Sequence, residues 1–73
     1  MDSKVSLEEL DNRFTYHAPK GDQPARYEAL RALAKEFAAF IVVNTPASRE
    51  QSVALTNLET AVFWANAAIA RNE

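Results

Sequence analysis

From Leu55 to Ala70 the chain reads LTNLETAVFWANAAIA. Leu55, Leu58, Val62, Ala65 and Ile69 recur at spacings of three and four, which lays one apolar stripe along a helix. Ala61, Phe63, Trp64, Ala67, Ala68 and Ala70 flank that stripe, and from Ala61 to Ala70 the only polar side chain is Asn66. A helix that is apolar nearly all round has to be covered on more than one side. A chain of 73 residues has few other elements with which to cover it. The spacing therefore predicts a helix that packs on its own chain and on copies of it.

Length and composition sharpen that expectation. The chain makes a single domain, 1–73. A domain this small buries a limited share of its surface, and small scaffolds add disulfides, a metal or oligomerisation. There is no cysteine, and His17 is the only histidine. Disulfides and thiolate metal sites are thereby excluded, no metal or cofactor is expected, and oligomerisation remains. No apolar run has the length of a membrane span, and the opening Met1-Asp2-Ser3-Lys4 is unlike a secretory leader, so no membrane partner is expected. A formal net charge of −2 argues against a DNA or RNA polymer as partner, because such binding relies on excess Lys and Arg. One glycine, many alanines and no alternating apolar pattern predict an all-α fold.

The remaining elements follow in chain order. Ser6 and Glu9 fit a capping box, with Leu7 and Leu10 as an apolar edge, and predict a short helix over about 6–12. Asp2, Glu8, Glu9 and Asp11 stand there against Lys4 alone, so the competing reading is a frayed acidic terminus. Residues 13 to 24 read RFTYHAPKGDQP, a loop whose aromatic and basic part covers 13–22. Phe14 either docks on the helices or stays out. Tyr16, among polar neighbours, reads as a stacking surface, since a phenol can stack on a base while its hydroxyl binds phosphate. His17 reads more readily as a structural hydrogen-bonder than as a ligand. Asp22 can cap a helix over 23–44 with Pro24 in its first turn. Tyr27, Leu30, Ala34, Phe37 and Ile41 form its stripe, Leu33 and Phe40 widen it, and Asn44 ends it. Thr45-Pro46 turns the chain into a last helix over 46–71, with Thr45 as cap and Pro46 first, or with Ser48 and Gln51 as a second arrangement. The short connection predicts a long antiparallel hairpin.

Chemistry is sparse. There is no Gly-rich phosphate loop, no nucleophile motif and no carboxylate pair on an apolar face, so an enzyme is not expected. Lys20, Arg26, Arg31 and Lys35 lie within sixteen positions, opposed there by Asp22 and Glu28. Arg31 and Lys35 are four apart and share a helix face. Two like charges there are mildly unfavourable unless an anion, or a carboxylate of another chain, lies between them. Guanidinium forks suit phosphate and stack on bases. A solvated face in which Glu28 pairs with Arg31 is the equal alternative. Arg71, beyond the apolar tract, either binds its own helix's terminal carbonyls or meets its copies around an anion in a symmetric assembly.

FTYHAPKGDQPARYEALR, with the closing VFWANAAIARNE, resembles the phage anti-CBASS protein two family. The similarity runs from about Arg13 to the end. It implies a compact helical protein that assembles as a homohexamer, is not an enzyme, and acts in the cytoplasm of the infected bacterial host. It implies a sponge for cyclic di- and trinucleotides, which withholds the messenger from its effector. The resemblance places Tyr16 on a base of a cyclic dinucleotide and Arg31 on its phosphate. Lys35 is a close alternative one turn on, and arginine stands where the family has lysine. His17, Pro19 and Lys20 belong to the motif, and Arg71 falls in the cyclic trinucleotide site. The competing reading is a small helical protein–protein interaction module without a small ligand. A sponge needs an aromatic and cations converging on one pocket, and an adaptor does not.

Overall fold

The computed structural model describes residues 6–73, so the readings made on Met1, Asp2, Ser3 and Lys4 lie outside the described residues. Three helices form there: α1 (Leu7–Phe14), α2 (Gln23–Asn44) and α3 (Arg49–Asn72). No strand occurs among the described residues, and no described helix is long and apolar enough to cross a membrane.

Local chemistry sets each boundary. Ser6 is extended, and its Oγ accepts the Glu9 N–H at 3.1 Å. The Glu9 carboxylate does not return to Ser6. It takes Arg13 at 2.7 Å, one turn on, so the capping box is half made. That pair supports a last turn that the 6–12 expectation leaves out, and α1 runs to Phe14. Asp22 forms no side-chain cap, contrary to expectation; its carboxylate lies 3.2 Å from Arg26 instead. The entry to α2 is a turn in which Lys20 O accepts the Gln23 N–H at 3.0 Å and Gln23 Oε1 accepts the Lys20 N–H at 3.2 Å. Gly21, at φ +58°, supplies the left-handed residue that this turn requires. Pro24 sits in the first helical turn, where its missing N–H costs nothing.

The link between the long helices is tied by side chains. Asn44 Nδ2 donates to Phe40 O at 2.8 Å, and Thr45 Oγ1 donates to Ile41 O at 2.7 Å, which satisfies one of the carbonyls left open at the end of α2. Of the two caps open to the sequence, Ser48 prevails: its Oγ accepts the Gln51 N–H at 3.1 Å and donates to Pro46 O. Pro46 therefore stays in the link, and the last helix starts at Arg49, three residues after the expected 46. Gln51 Nε2 reaches Thr45 O at 3.1 Å, across the turn. Contacts of Gln51 with the end of α2, and of residue 73 with its start, make α2 and α3 antiparallel.

The half-buried positions of α2 are Arg26, Tyr27, Leu30, Ala34, Ala38 and Ile41. Phe37, expected in the stripe, is 55% exposed, and Ala38 takes its place. Alanines at 34 and 38 let the helices approach, whereas Phe37 lies about 100° further round. On α3 the expected stripe of Leu55, Leu58, Val62, Ala65 and Ile69 is half-buried throughout. No apolar side chain among the described residues is buried; Gln23 alone is, at 4% exposed. Leu33, Phe40, Phe63 and Trp64 remain about two-thirds exposed. Phe14, the last residue of α1, is 83% exposed and does not dock on the helices described.

Candidate functional site

Arg31 and Lys35 project from one face of α2 into a cleft of about 570 Å³ between the long helices. Leu55, Leu58 and Val62 line it from α3, together with Thr56, Glu59 and Phe63. The ion pairs among the described residues are Arg13–Glu9, Arg26–Asp22 and Arg26–Glu73. Glu28 therefore does not pair with Arg31, and neither Arg31 nor Lys35 has a carboxylate partner there. Two like charges stand one turn apart over apolar walls, where a charge interaction is worth more than in bulk water. Glu59 lines the same cleft without pairing to either cation.

The other expected residues lie elsewhere. Tyr16 is 83% exposed on the loop between α1 and α2 and does not line this cleft. His17 Nε2 lies 2.7 Å from Asn12 O. A carbonyl only accepts, so this nitrogen carries the proton, and His17 takes the structural role. Lys20 Nζ donates to Glu73 O at 2.8 Å. The Arg71 guanidinium stands 6.0 Å from the centroid of the Trp64 ring, a cation–π contact about two turns back along α3. It makes no hydrogen bond to its own helix's carbonyls among the described residues; the Arg71 carbonyl instead accepts from Asn12 Nδ2 at 3.2 Å. The relay His17–Asn12–Arg71 thus ties the aromatic loop to the end of α3. The single chain brings Arg31 to Lys35, and leaves Tyr16 outside their cleft.

A clasp at this end of the hairpin escaped the sequence reading. Arg26 donates through both terminal nitrogens to the Glu73 carboxylate, to Oε2 at 3.0 Å and to Oε1, and Gln23 Nε2 approaches Oε1 at 3.5 Å. The hydrogen bonds from Arg26 hold the Glu73 carboxyl below the usual carboxylate range. The same bonds, with the nearby charge of Asp22, raise Arg26 above its ordinary value. Glu59 and Glu73 gave no local signal, because each acquires its neighbours from residues more than twenty positions away.

An α-helical hairpin with open apolar faces and an unpaired basic couple over a cleft is the class of protein that these features define. A family model described as Acb2/Tad1, hairpin domain, matches residues 6–70. The chain belongs to that family, and membership agrees with the resemblance to the phage anti-CBASS protein two family. It supports, in broad terms, a phage sponge role against CBASS. No curated protein and no solved structure gives a match.

Proposed function

We propose that the chain is a sponge for cyclic di- and trinucleotides, which it sequesters in the cytoplasm of the infected bacterial host so that their effector is not activated. The observation that carries this reading is the unpaired couple Arg31 and Lys35 lining an apolar cleft of about 570 Å³. Two cations without carboxylate partners match the phosphates of a cyclic dinucleotide, and the apolar wall suits its bases. Tyr16, exposed on a loop anchored through His17, is the stacking surface in this reading. Because it lies outside the cleft of its own chain, a neighbouring copy brings it to a ligand held by Arg31. The site is then completed by a homo-oligomer, a hexamer in this family. Arg71 binds the trinucleotide at a second place where copies meet. The protein binds its ligands and does not transform them, so it is not an enzyme.

The test is calorimetric titration of the wild type against a panel of cyclic di- and trinucleotides, repeated with Arg31→Ala and Lys35→Ala. A charge-assisted hydrogen bond lost from a partly exposed site costs roughly 1.5–3 kcal/mol, about ten- to a hundred-fold in affinity. Both variants should lose dinucleotide affinity by about that factor while keeping their thermal stability. A silent wild type would favour the adaptor reading, and unchanged binding in both variants would return these residues to a solvated face.

A further inference from the structure

Trp64 is the only tryptophan of the chain, and it is 64% exposed. It does not line the cleft of Arg31 and Lys35, although its neighbour Phe63 does. Seven residues on along α3, Arg71 comes round to within about 20° of the same helix face. Its guanidinium stands 6.0 Å from the centroid of the indole. Ala67 and Ala68 lie between the two, and their methyl groups leave the arginine room to fold back toward the start of the helix. Arg71 is half-buried, yet its side chain has no carboxylate partner and no hydrogen bond among the described residues. The ring attracts the cation without neutralising it and uses none of its N–H donors for a carboxylate or carbonyl.

We propose that Trp64 is a binding residue of the trinucleotide site: a base stacks on its exposed ring while Arg71, held against the same ring, takes the adjoining phosphate. The inference rests on the reading above in which Arg71 meets a cyclic trinucleotide, and adds the surface that receives the bases. A nucleotide is an aromatic plane joined to an anion. Trp64 with Arg71 presents an aromatic plane beside an unneutralised cation. A planar guanidinium fork matches phosphate oxygens, and an indole stacks on any base because every base has a π-face. Ring and cation belong to one helix face, so they repeat together wherever copies meet. Each arginine that arrives at a ligand then brings one stacking surface with it. An apolar contact with another copy would also cover the indole, but it would desolvate the adjacent guanidinium, which then needs an anion in any case.

The experiment titrates the full chain with cyclic tri-AMP and, separately, with cyclic di-AMP, following tryptophan emission and heat. Trp64 is the sole tryptophan, so the emission reports on that ring alone. Cyclic tri-AMP should quench it with the midpoint that calorimetry gives. Cyclic di-AMP, held at Arg31 and Lys35, should bind with little change in it. Trp64→Leu, which keeps apolar bulk without a π-face, should lose trinucleotide affinity by about five- to a hundred-fold and keep its dinucleotide affinity. Trp64→Phe, which keeps an aromatic face, should lose less. The emission of the wild type answers the question whether or not a variant folds. Trinucleotide heat with unchanged emission, full trinucleotide affinity in Trp64→Leu, or equal quenching by both ligands would overturn the inference and leave the sponge reading standing. A ring covered by another copy would show emission that shifts on dilution and ignores the trinucleotide, which also overturns it. A wild type silent to cyclic tri-AMP would defeat the inference and the reading of Arg71 beneath it; one silent to both ligands would defeat the sponge reading as well.

Discussion

A charge placed at Phe37 should take the assembly apart without unfolding the protomer. The chain exposes 6039 Å² at a mass of 8.1 kDa. A compact monomer of that mass exposes about 4,500 Å². The surplus is about 1,500 Å². One side of a standard interface takes about 800 Å², so the surplus exceeds one such patch, and we expect an oligomer larger than a dimer. Phe37 lines a groove of about 280 Å³ whose walls, among them Leu30, Leu33, Ala61 and Ala65, are wholly apolar. It is 55% exposed in the protomer. Burying a phenylalanine fully is worth about 1.5–3 kcal/mol, so the half still exposed leaves about 1 to 1.5 kcal/mol per copy to be gained on assembly. Phe37→Glu forfeits that gain and adds the cost of taking an unpaired carboxylate out of water. Each interface should weaken by well over ten-fold. Light scattering over a dilution series reads the assembly, and far-UV circular dichroism reads the helices. The wild type should hold a mass above twice 8.1 kDa at micromolar concentration, and the variant should fall to smaller species with its helicity intact. A wild type that stays monomeric, or a variant that assembles as well as the wild type, would refute the reasoning.

Three further expectations follow from the site. Tyr16→Ala should impair dinucleotide binding by roughly 1–3 kcal/mol per stacked base and spare trinucleotides, while Arg71→Ala should do the reverse with a larger and more salt-sensitive loss, since symmetry repeats the charge around one ligand. Calorimetry of each variant with each ligand class decides; competition between the classes would mean one shared site. Glu59→Gln, which removes a carboxylate from the cleft of Arg31 and Lys35, should tighten dinucleotide binding by a factor of a few, with weaker salt dependence than a gained contact would show. A loss of affinity would mean that Glu59 holds the ligand itself. The Glu73 carboxyl is held below its ordinary value of 4.5, first by the hydrogen bonds from Arg26. Its contribution is complete above that value and is lost as pH falls through the lower folded one. Acid should therefore open the clasp at Lys20, Gln23 and Arg26 before the hairpin melts, as read by amide exchange over 20–26. Glu73→Gln should show the open loop at neutral pH, and identical exchange in both proteins would sink the idea.

Periodicity and capping chemistry are local properties, and what depended on them was legible. The all-α class, the span of α2 from residue 23 to 44 and the apolar stripe on α3 all follow from spacings of three and four. The quoted motifs also carried the family, which the match over residues 6–70 bears out. Competition between two local options was not legible. Thr45-Pro46 and Ser48 both looked like helix starts, and Ser48 prevailed because its hydroxyl serves Gln51 and Pro46 together while Gln51 reaches back to α2. Tertiary structure alone decided the rest. Packing of α2 on α3 put Ala38 inward and Phe37 outward, because two helices approach most closely over small side chains. The same register left Arg31 and Lys35 without carboxylate partners among the described residues, set Glu59 and Phe63 across the cleft from them, and enclosed the Asn66 oxygen. It also returned residue 73 to Arg26. A helix states which residues share its own faces; which foreign residues meet those faces is a matter of register, and that depends on the packing of the whole hairpin.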